Sequence, residues 1–390
     1  MNKIFLKKNE DTRIRRGHLW IFSNEISGIE GEVQNGDFAE VYSSQNEFLG
    51  KGFYNKNSLI AIRLLTPSKD ELKDIINRKI LVASDLRKMV YPNRRSFRLV
   101  FGESDFLPGL IIDKYNDTYV LQVNSFGIEK NIEIIVNILQ NVFKAQNIFT
   151  KNDTYFRKLE GLPEEDTVYL GSKQVELIDD GSIRYKIDFE KSQKTGFFFD
   201  QSDNRFFIER YCRGKKILDA FCNSGGFGLH AAGAGAKEVT FVDSSSVEIE
   251  NAKVNYNLNN FTVPAEFVVS DVFDYLENCK SSNKKFDIVI IDPPAFAKSK
   301  KSLPAAIKGY EKLNRLAMEC VNENGLLISS SCSYHLKQES FIQIVGNSAA
   351  KAGKSIQLIY FNNASLDHPQ NPAMEETVYL KFGVFRIQKF

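Results

Sequence analysis

The sequence predicts an α/β protein in which a doubly wound, mostly parallel sheet follows two smaller modules, and three observations predict it. At 390 residues the chain is longer than one hydrophobic core supports. Residues 1–67 break into short apolar runs separated by turn residues, the pattern of a small β-rich module. Beyond Lys215 buried strands alternate with helices, as parallel strands covered on both faces require.

In chain order, Glu32-Val33, the segments 38–42, 48–54 and 59–65, and a turn at Asn35-Gly36-Asp37 make up the first domain, 1–68, which Pro67-Ser68 ends. Leu72, Ile75, Ile76, Ile80, Leu81 and Leu86 recur at helical spacing, so 69–90 reads as a connector helix stopped at Tyr91-Pro92. Strands at 110–113 and 119–123, then a helix through Ile128, Ile132, Ile135, Leu139 and Val142, complete an α+β middle domain within 69–185. The third domain, 186–390, holds strands at 215–219, 238–243, 267–271, 286–292 and 325–330.

Lys and Arg number 51 against 49 Asp and Glu, a net charge of +2, so a polyanionic partner must meet local patches rather than a global field. No apolar run approaches the roughly 20 residues of a membrane helix, and the first 30 residues lack an apolar signal core, so a cytoplasmic protein is expected. Five cysteines without a CxxC pair and four histidines without ligand spacing argue against a disulfide framework and a metal site.

Ligands of an open parallel sheet bind beyond the carboxyl ends of its strands, and four strand ends here are aspartates. Asp219 runs into the small-residue turn Phe221-Cys222-Asn223-Ser224-Gly225-Gly226, where backbone can approach a ligand closely. Asp243, 24 residues on, is placed to hydrogen-bond ribose hydroxyls, Asp271 with Val272 follows the third strand, and Asp292-Pro293-Pro294 the fourth. The turn alone is a weak signal, since it does not spell GxGxxG, and Asp243 or Asp271 alone could be a solvated carboxylate or a helix cap. A nicotinamide enzyme would share the turn and Asp243 but has no use for Asp-Pro-Pro. S-adenosylmethionine methyltransferases use such a segment to hold the target base.

The fifth strand leads to Ser331-Cys332-Ser333 at the same sheet edge as Asp292. Cytosine C5 is a poor nucleophile, and attack of a thiolate on C6 makes it enamine-like, able to take a methyl group. Cys332 is the candidate nucleophile and Asp292 the group for the N3/N4 edge of the base. A packed, inert thiol is the competing reading of Cys332 taken alone. Cys320 falls on a buried helix face with Tyr310, Leu313 and Ala317, Cys222 lies in the cofactor turn, and Cys212 and Cys279 have no evident context. His335, three residues past Cys332, reads as structural. Two basic segments read as RNA-facing: Arg15 and Arg16 with Trp20 near the start, and Lys298, Lys300 and Lys301 directly after Asp-Pro-Pro.

Taken together these residues resemble the class I bacterial RNA cytosine-5 methyltransferases of the large-subunit ribosomal RNA type. The resemblance runs over nearly the whole chain. It rests on Arg15-Arg-Gly-His-Leu-Trp-Ile-Phe, Gly102-Glu-Ser-Asp-Phe-Leu-Pro-Gly-Leu-Ile-Ile-Asp-Lys-Tyr, Gln193-Lys-Thr-Gly-Phe-Phe-Phe-Asp-Gln-Ser-Asp-Asn-Arg205, Asp292-Pro-Pro-Ala-Phe and Ser331-Cys-Ser. It implies a PUA-like domain, an α+β middle domain and a Rossmann-like S-adenosylmethionine domain. It also implies cofactor contact by Thr195, the 221–226 turn, Asp243 and Asp271, with Asp292 and Cys332 at the base, large-subunit ribosomal RNA as partner, and in many members a homodimer. One related group carries a second cysteine just after the prolines; here Ala295-Phe296 stands there, leaving the base for the C5 proton unassigned. Two alternatives stay open: methylation of a purine nitrogen with a passive Cys332, and a non-catalytic RNA-binding factor of ribosome assembly.

Overall fold

The computed structural model describes residues 2–297 and 299–389, and the chain folds into two compact units. The first runs to Ile178 and takes in Ile187–Phe199 and Leu366–Thr377; the second comprises Asp179–Lys186, Asp200–Ser365 and the chain from Val378 on.

In the first unit the β-rich part is a six-stranded sheet of Lys3–Leu6, Trp20–Ile21, Ile26–Glu30, Phe38–Tyr42, Phe48–Tyr54 and Ile62–Thr66. Its first three strands lie where the sequence showed only charge, because the inward residues Ile4, Leu6 and Ile21 are embedded among lysines, arginines and turns. Glu32-Val33, expected as a strand, belongs to the loop after Gly31. The middle part is a five-stranded sheet spanning Phe97–Phe101 to Val168–Leu170. The helix Leu72–Val90 is more than a connector: Ile75, Ile76 and Ile80 are fully buried in the core of that sheet, which also takes in Phe53 and Leu65 of the β-rich part. The expected single helix after the second middle strand is two, Phe126–Lys130 and Ile132–Asn141. The Gly102–Tyr115 motif is an anchor. Asp105 takes a bidentate, buried pair from Arg87 at 2.6 and 2.7 Å, and Asp113 one from Arg98 at 2.8 Å.

The second unit is a seven-stranded sheet. Its strands are β1 (Lys216–Ala220), β2 (Glu238–Asp243), β3 (Ala265–Val269), β4 (Phe286–Ile291), β5 (Val321–Ser331), β6 (Lys354–Asn362) and β7 (Lys381–Lys389). Their order is β3-β2-β1-β4-β5-β7-β6, with the first five parallel and β7 antiparallel to both neighbours. The central strands are nearly all apolar because both faces are covered. The helices are α1 (Ser202–Cys212), α2 (Gly226–Gly233), α3 (Ser246–Leu258), α4 (Val272–Ser281), α5 (Leu303–Glu319) and α6 (Gln338–Lys351), and α4 to α6 close one core over β1, β4 and β5. Two expectations shift: β3 ends two residues earlier than its sequence pattern, and β6 and β7 extend the sheet where no strand was expected. Reversal between β1 and β4 opens a crevice at the carboxyl ends, where such sheets bind ligands. Among the described residues no helix is long and apolar enough to cross a membrane.

Asp179–Lys186 joins this unit through His230 of α2, whose fully buried ring lies 2.9 Å from Asp180 Oδ2 and 2.6 Å from Glu209 Oε1. Burial disfavours the imidazolium, but the two carboxylates outweigh it and raise the His230 pKa, while His230 offsets burial and lowers that of Asp180. A raised histidine pKa stabilises the fold fully below about 6.5 and the contribution is lost as pH rises through the folded value. The thermal midpoint of the protein is therefore expected to fall as pH rises past neutrality, and His230→Gln to flatten that part of the curve; an unchanged slope in the variant would refute the assignment.

Candidate active site

The crevice starts at Asp219, fully buried at the end of β1. One carboxylate oxygen accepts the Gly228 amide at 2.7 Å, and Oδ1 is buried without a hydrogen bond among the described residues. Burial raises the carboxyl to about 7, the Gly228 bond opposing it and the charge of Asp292 adding to it. The turn beyond is held in an uncommon backbone state: Phe221, Asn223 and Gly225 all have positive φ, at 61°, 47° and 90°. Gly225 meets that requirement without strain, and Gly226 is needed for space, since a Cβ there would lie 2.5 Å from Arg205 Nε. Asp243 ties the turn down from β2, accepting the Asn223 amide at 3.0 Å and the Ser245 amide at 2.9 Å on its two oxygens, while Asn255 holds the Ser224 carbonyl. Asp271, past the shortened β3, is the N-cap of α4. It is exposed and accepts the Phe273 and Asp274 amides at 2.8 and 3.2 Å, with Val272 buried behind it.

Asp292 closes β4. Its Oδ1 accepts Gln201 Nε2 at 3.0 Å, and Gln201, itself buried, is oriented by a relay in which Asn362 donates to Asn204 and Asn204 to Gln201 Oε1, at 2.8 and 2.7 Å. Every amide in this relay has its donor pointing toward Asp292. Burial and the nearby charge of Asp200 push the Asp292 carboxyl up to about 7, against the pull of Arg205 and the Gln201 bond. Asp200 is fixed by Tyr379, whose hydroxyl donates to it at 2.6 Å.

Cys332 follows the end of the neighbouring strand β5, partly exposed, its Sγ 3.8 Å from the carbonyl oxygen of Pro293, the residue after Asp292. The segment is locked from both sides. Tyr310, fully buried on α5, is 3.0 Å from Ser331 Oγ and 2.9 Å from Ser333 Oγ, and Ser333 Oγ accepts the Ala297 amide at 3.1 Å. One phenol thus joins the strand end bearing Cys332 to the loop after Asp292-Pro-Pro, and its ring packs 4.6 Å from Phe296.

Outside this cluster, Thr195 belongs to the first unit, where its hydroxyl donates to Asp113 at 2.5 Å. Arg15 is paired with Asp11 and Glu47, and the Trp20 indole donates to Glu103 at 2.9 Å, so both are engaged within that unit; Arg16 is exposed. Lys300 and Lys301 are exposed after the Asp-Pro-Pro loop, and Lys298 lies outside the described residues. Cys320 is fully buried, as its helix pattern predicted, and capped by the Leu276 carbonyl. Gln201, Asn204 and Tyr310 were not read as site residues. Tyr310 in particular shares the spacing of a core helix face, and its hydroxyl is what sets it apart.

Comparison with known proteins shows the family. The PUA-like domain family matches residues 4–67 and the S-adenosylmethionine-dependent methyltransferase family residues 161–382. Ribosomal RNA large subunit methyltransferase I of Aliivibrio fischeri is 37% identical, covering 98% of this chain and 99% of its own. Those of Aeromonas hydrophila and Vibrio cholerae are each 36% identical, over 98% and 97% of both chains. The chain belongs to this methyltransferase family. Its cofactor is S-adenosylmethionine. A methyltransferase structure complexed with SAH shares the fold over 99% of this chain and 100% of its own, with a TM-score of 0.85 at 23% identity. The crevice suits this cofactor on its own terms, having a backbone cradle at 221–226 and a buried carboxylate oxygen at Asp219 without a hydrogen bond among the described residues.

Tyr310→Phe leaves two buried serine hydroxyls short of a partner, which costs about 1–3 kcal/mol. The variant is expected to melt lower and to lose methyl transfer while binding S-adenosylmethionine as the parent does, by calorimetry. A matching loss of cofactor affinity would place Tyr310 in a different role.

Proposed function

We propose that the protein methylates C5 of a cytosine in large-subunit ribosomal RNA through a covalent bond between Cys332 Sγ and C6 of the base. The observation that supports it is the lock of Tyr310 and Ser333, which ties the segment bearing a partly exposed thiol to the loop after Asp292, a carboxyl of raised pKa, at the carboxyl ends of β4 and β5. The relatives' shared name supplies the substrate class.

S-adenosylmethionine supplies an electrophilic methyl group. Asp219, the 221–226 turn, Asp243 and Asp271 with Val272 would hold it, as carboxylates and backbone amides suit its ribose and its positive charge. Thr195 is the remaining residue proposed for cofactor contact. Asp292, its carboxyl raised by burial and by the charge of Asp200, donates from its protonated form to cytosine N3 and accepts from the exocyclic amine, and the Gln201 relay keeps it oriented. The Cys332 thiolate then forms the S–C6 bond, moving electron density to C5, where the methyl group adds. The C5 proton passes to water as the S–C6 bond breaks and the thiolate leaves, and the N3 proton returns to Asp292. The base must leave its stack for both faces of C5 and C6 to be reached. Residues 1–68, with Arg16 exposed, and Lys300 and Lys301 near the crevice are the proposed RNA contacts.

Labelled methyl transfer to protein-free large-subunit RNA, read by nucleoside mass spectrometry, tests the reading. The expected product is 5-methylcytidine, abolished in Cys332→Ala and reduced about 10²-fold or more in Asp292→Asn, which keeps a donor but cannot exchange a proton. A methylated purine, or 5-methylcytidine that survives Cys332→Ala, contradicts it.

A further inference from the structure

Lys381 opens β7, and its register places it opposite Ser331, next to the thiol-bearing residue. Its side chain is buried, with only 2% exposed. Nζ donates to the Ser333 and Tyr379 carbonyl oxygens, both at 2.6 Å, so the ammonium grips the backbone one residue past Cys332. A buried ammonium normally pairs with a carboxylate. Among the described residues none does so here: Asp200 is bonded to the Tyr379 hydroxyl and Asp292 to Gln201. Lys381 is thus bonded to the residue after Cys332 and paired in register with the residue before it, and while burial disfavours its ammonium, a negative charge on Cys332 would favour it.

We propose that Lys381 is the internal counter-ion of Cys332, holding it as a thiolate before RNA arrives. This rests on the reading of Cys332 as nucleophile and goes beyond it by naming what ionises the thiol. The proton balance is internal: the thiol proton leaves to solvent or to a neutral Lys381, and the charge left on sulfur faces a cation fixed by two carbonyls. Burial lowers Lys381 to about 8, and a negative charge on Cys332 opposes that lowering, so an ionised sulfur and the ammonium support each other. The other titratable groups around the pair are Asp292 on the β4 end and Tyr310 on α5, with Asp200 behind Tyr379. Asp292 opposes a thiolate when ionised; protonated, with a carboxyl raised to about 7, it does not. Lys381 touches backbone rather than base, so it is a positioning residue.

The pH dependence of iodoacetamide alkylation at Cys332, followed by peptide mass spectrometry on the full-length protein without RNA or cofactor, reads the thiolate directly. The parent is expected to alkylate with a midpoint below the free-thiol value of about 8.5, and Lys381→Met to raise that midpoint. A rise of one to two pH units would slow the reaction at pH 7 about 10- to 100-fold, and Lys381→Arg should restore most of it because a cation returns. Circular dichroism and cofactor titration of both variants separate loss of the cation from loss of the fold. If Lys381→Met unfolds, the arginine variant carries the test: a midpoint equal to that of free cysteine in folded Lys381→Arg overturns the proposal, as does an unshifted midpoint in folded Lys381→Met. Should the midpoint shift as expected while Cys332→Ala still makes 5-methylcytidine, the ion pair stands and the nucleophile reading fails.

Discussion

The site depends on one buried phenol. Tyr310 reaches from α5 to the hydroxyls on either side of Cys332, and through Ser333 to the amide that ends the Asp292-Pro-Pro loop. Two strand ends that are separate in sequence are thereby held in one register, as preorganised chemistry requires. The second restraint on that segment, Lys381, comes from the antiparallel strand inserted between β5 and β6. The thiol is therefore fixed by a helix on one side and a strand on the other, and the carboxyl by an amide relay from α1.

Electrostatics gives the crevice its second character. Asp219 and Asp292 are both pushed up to about 7, each raised mainly by burial and by a neighbouring carboxylate. Keeping two such groups close with Asp200 nearby is unfavourable, and Arg205 offsets only part of it. A cationic ligand is the natural complement to such a crevice, and S-adenosylmethionine is one. The positive φ values at Phe221 and Asn223 belong to the same pattern, local strain accepted where backbone must approach a ligand.

Much of this was legible in the chain. The alternation after Lys215 marked the parallel sheet, and the four aspartates marked its ligand edge, because strand ends fall where apolar runs stop. Asp271 shows the limit of that rule: the run through Phe267 suggested a strand end, but β3 stops at Val269 and the carboxylate caps α4. β6 and β7, which escaped notice, have patterns that mix Lys, Gln, Arg or Tyr with apolar residues: β6 is the half-exposed edge of the sheet, and β7, though inserted between β5 and β6, opens on a buried lysine. Gln201, Tyr310 and Lys381 escaped for a different reason. Their roles come from what they touch across long sequence separations, and only the folded chain brings Lys381 to the Ser333 carbonyl or Gln201 to Asp292. The basic residues of the first domain illustrate the converse, since Arg15 and Trp20 looked available for RNA and are bonded to Glu47 and Glu103.

The central claim is a covalent bond between Cys332 and the target base. RNA carrying 5-fluorocytidine tests it most directly, because fluorine at C5 cannot leave as a proton does and the bond to C6 persists. With S-adenosylmethionine present, the account predicts a stable protein–RNA complex whose attachment maps by mass spectrometry to the peptide bearing Cys332. No complex with an RNA that the enzyme methylates in its unfluorinated form, or an attachment at any other cysteine, would contradict it.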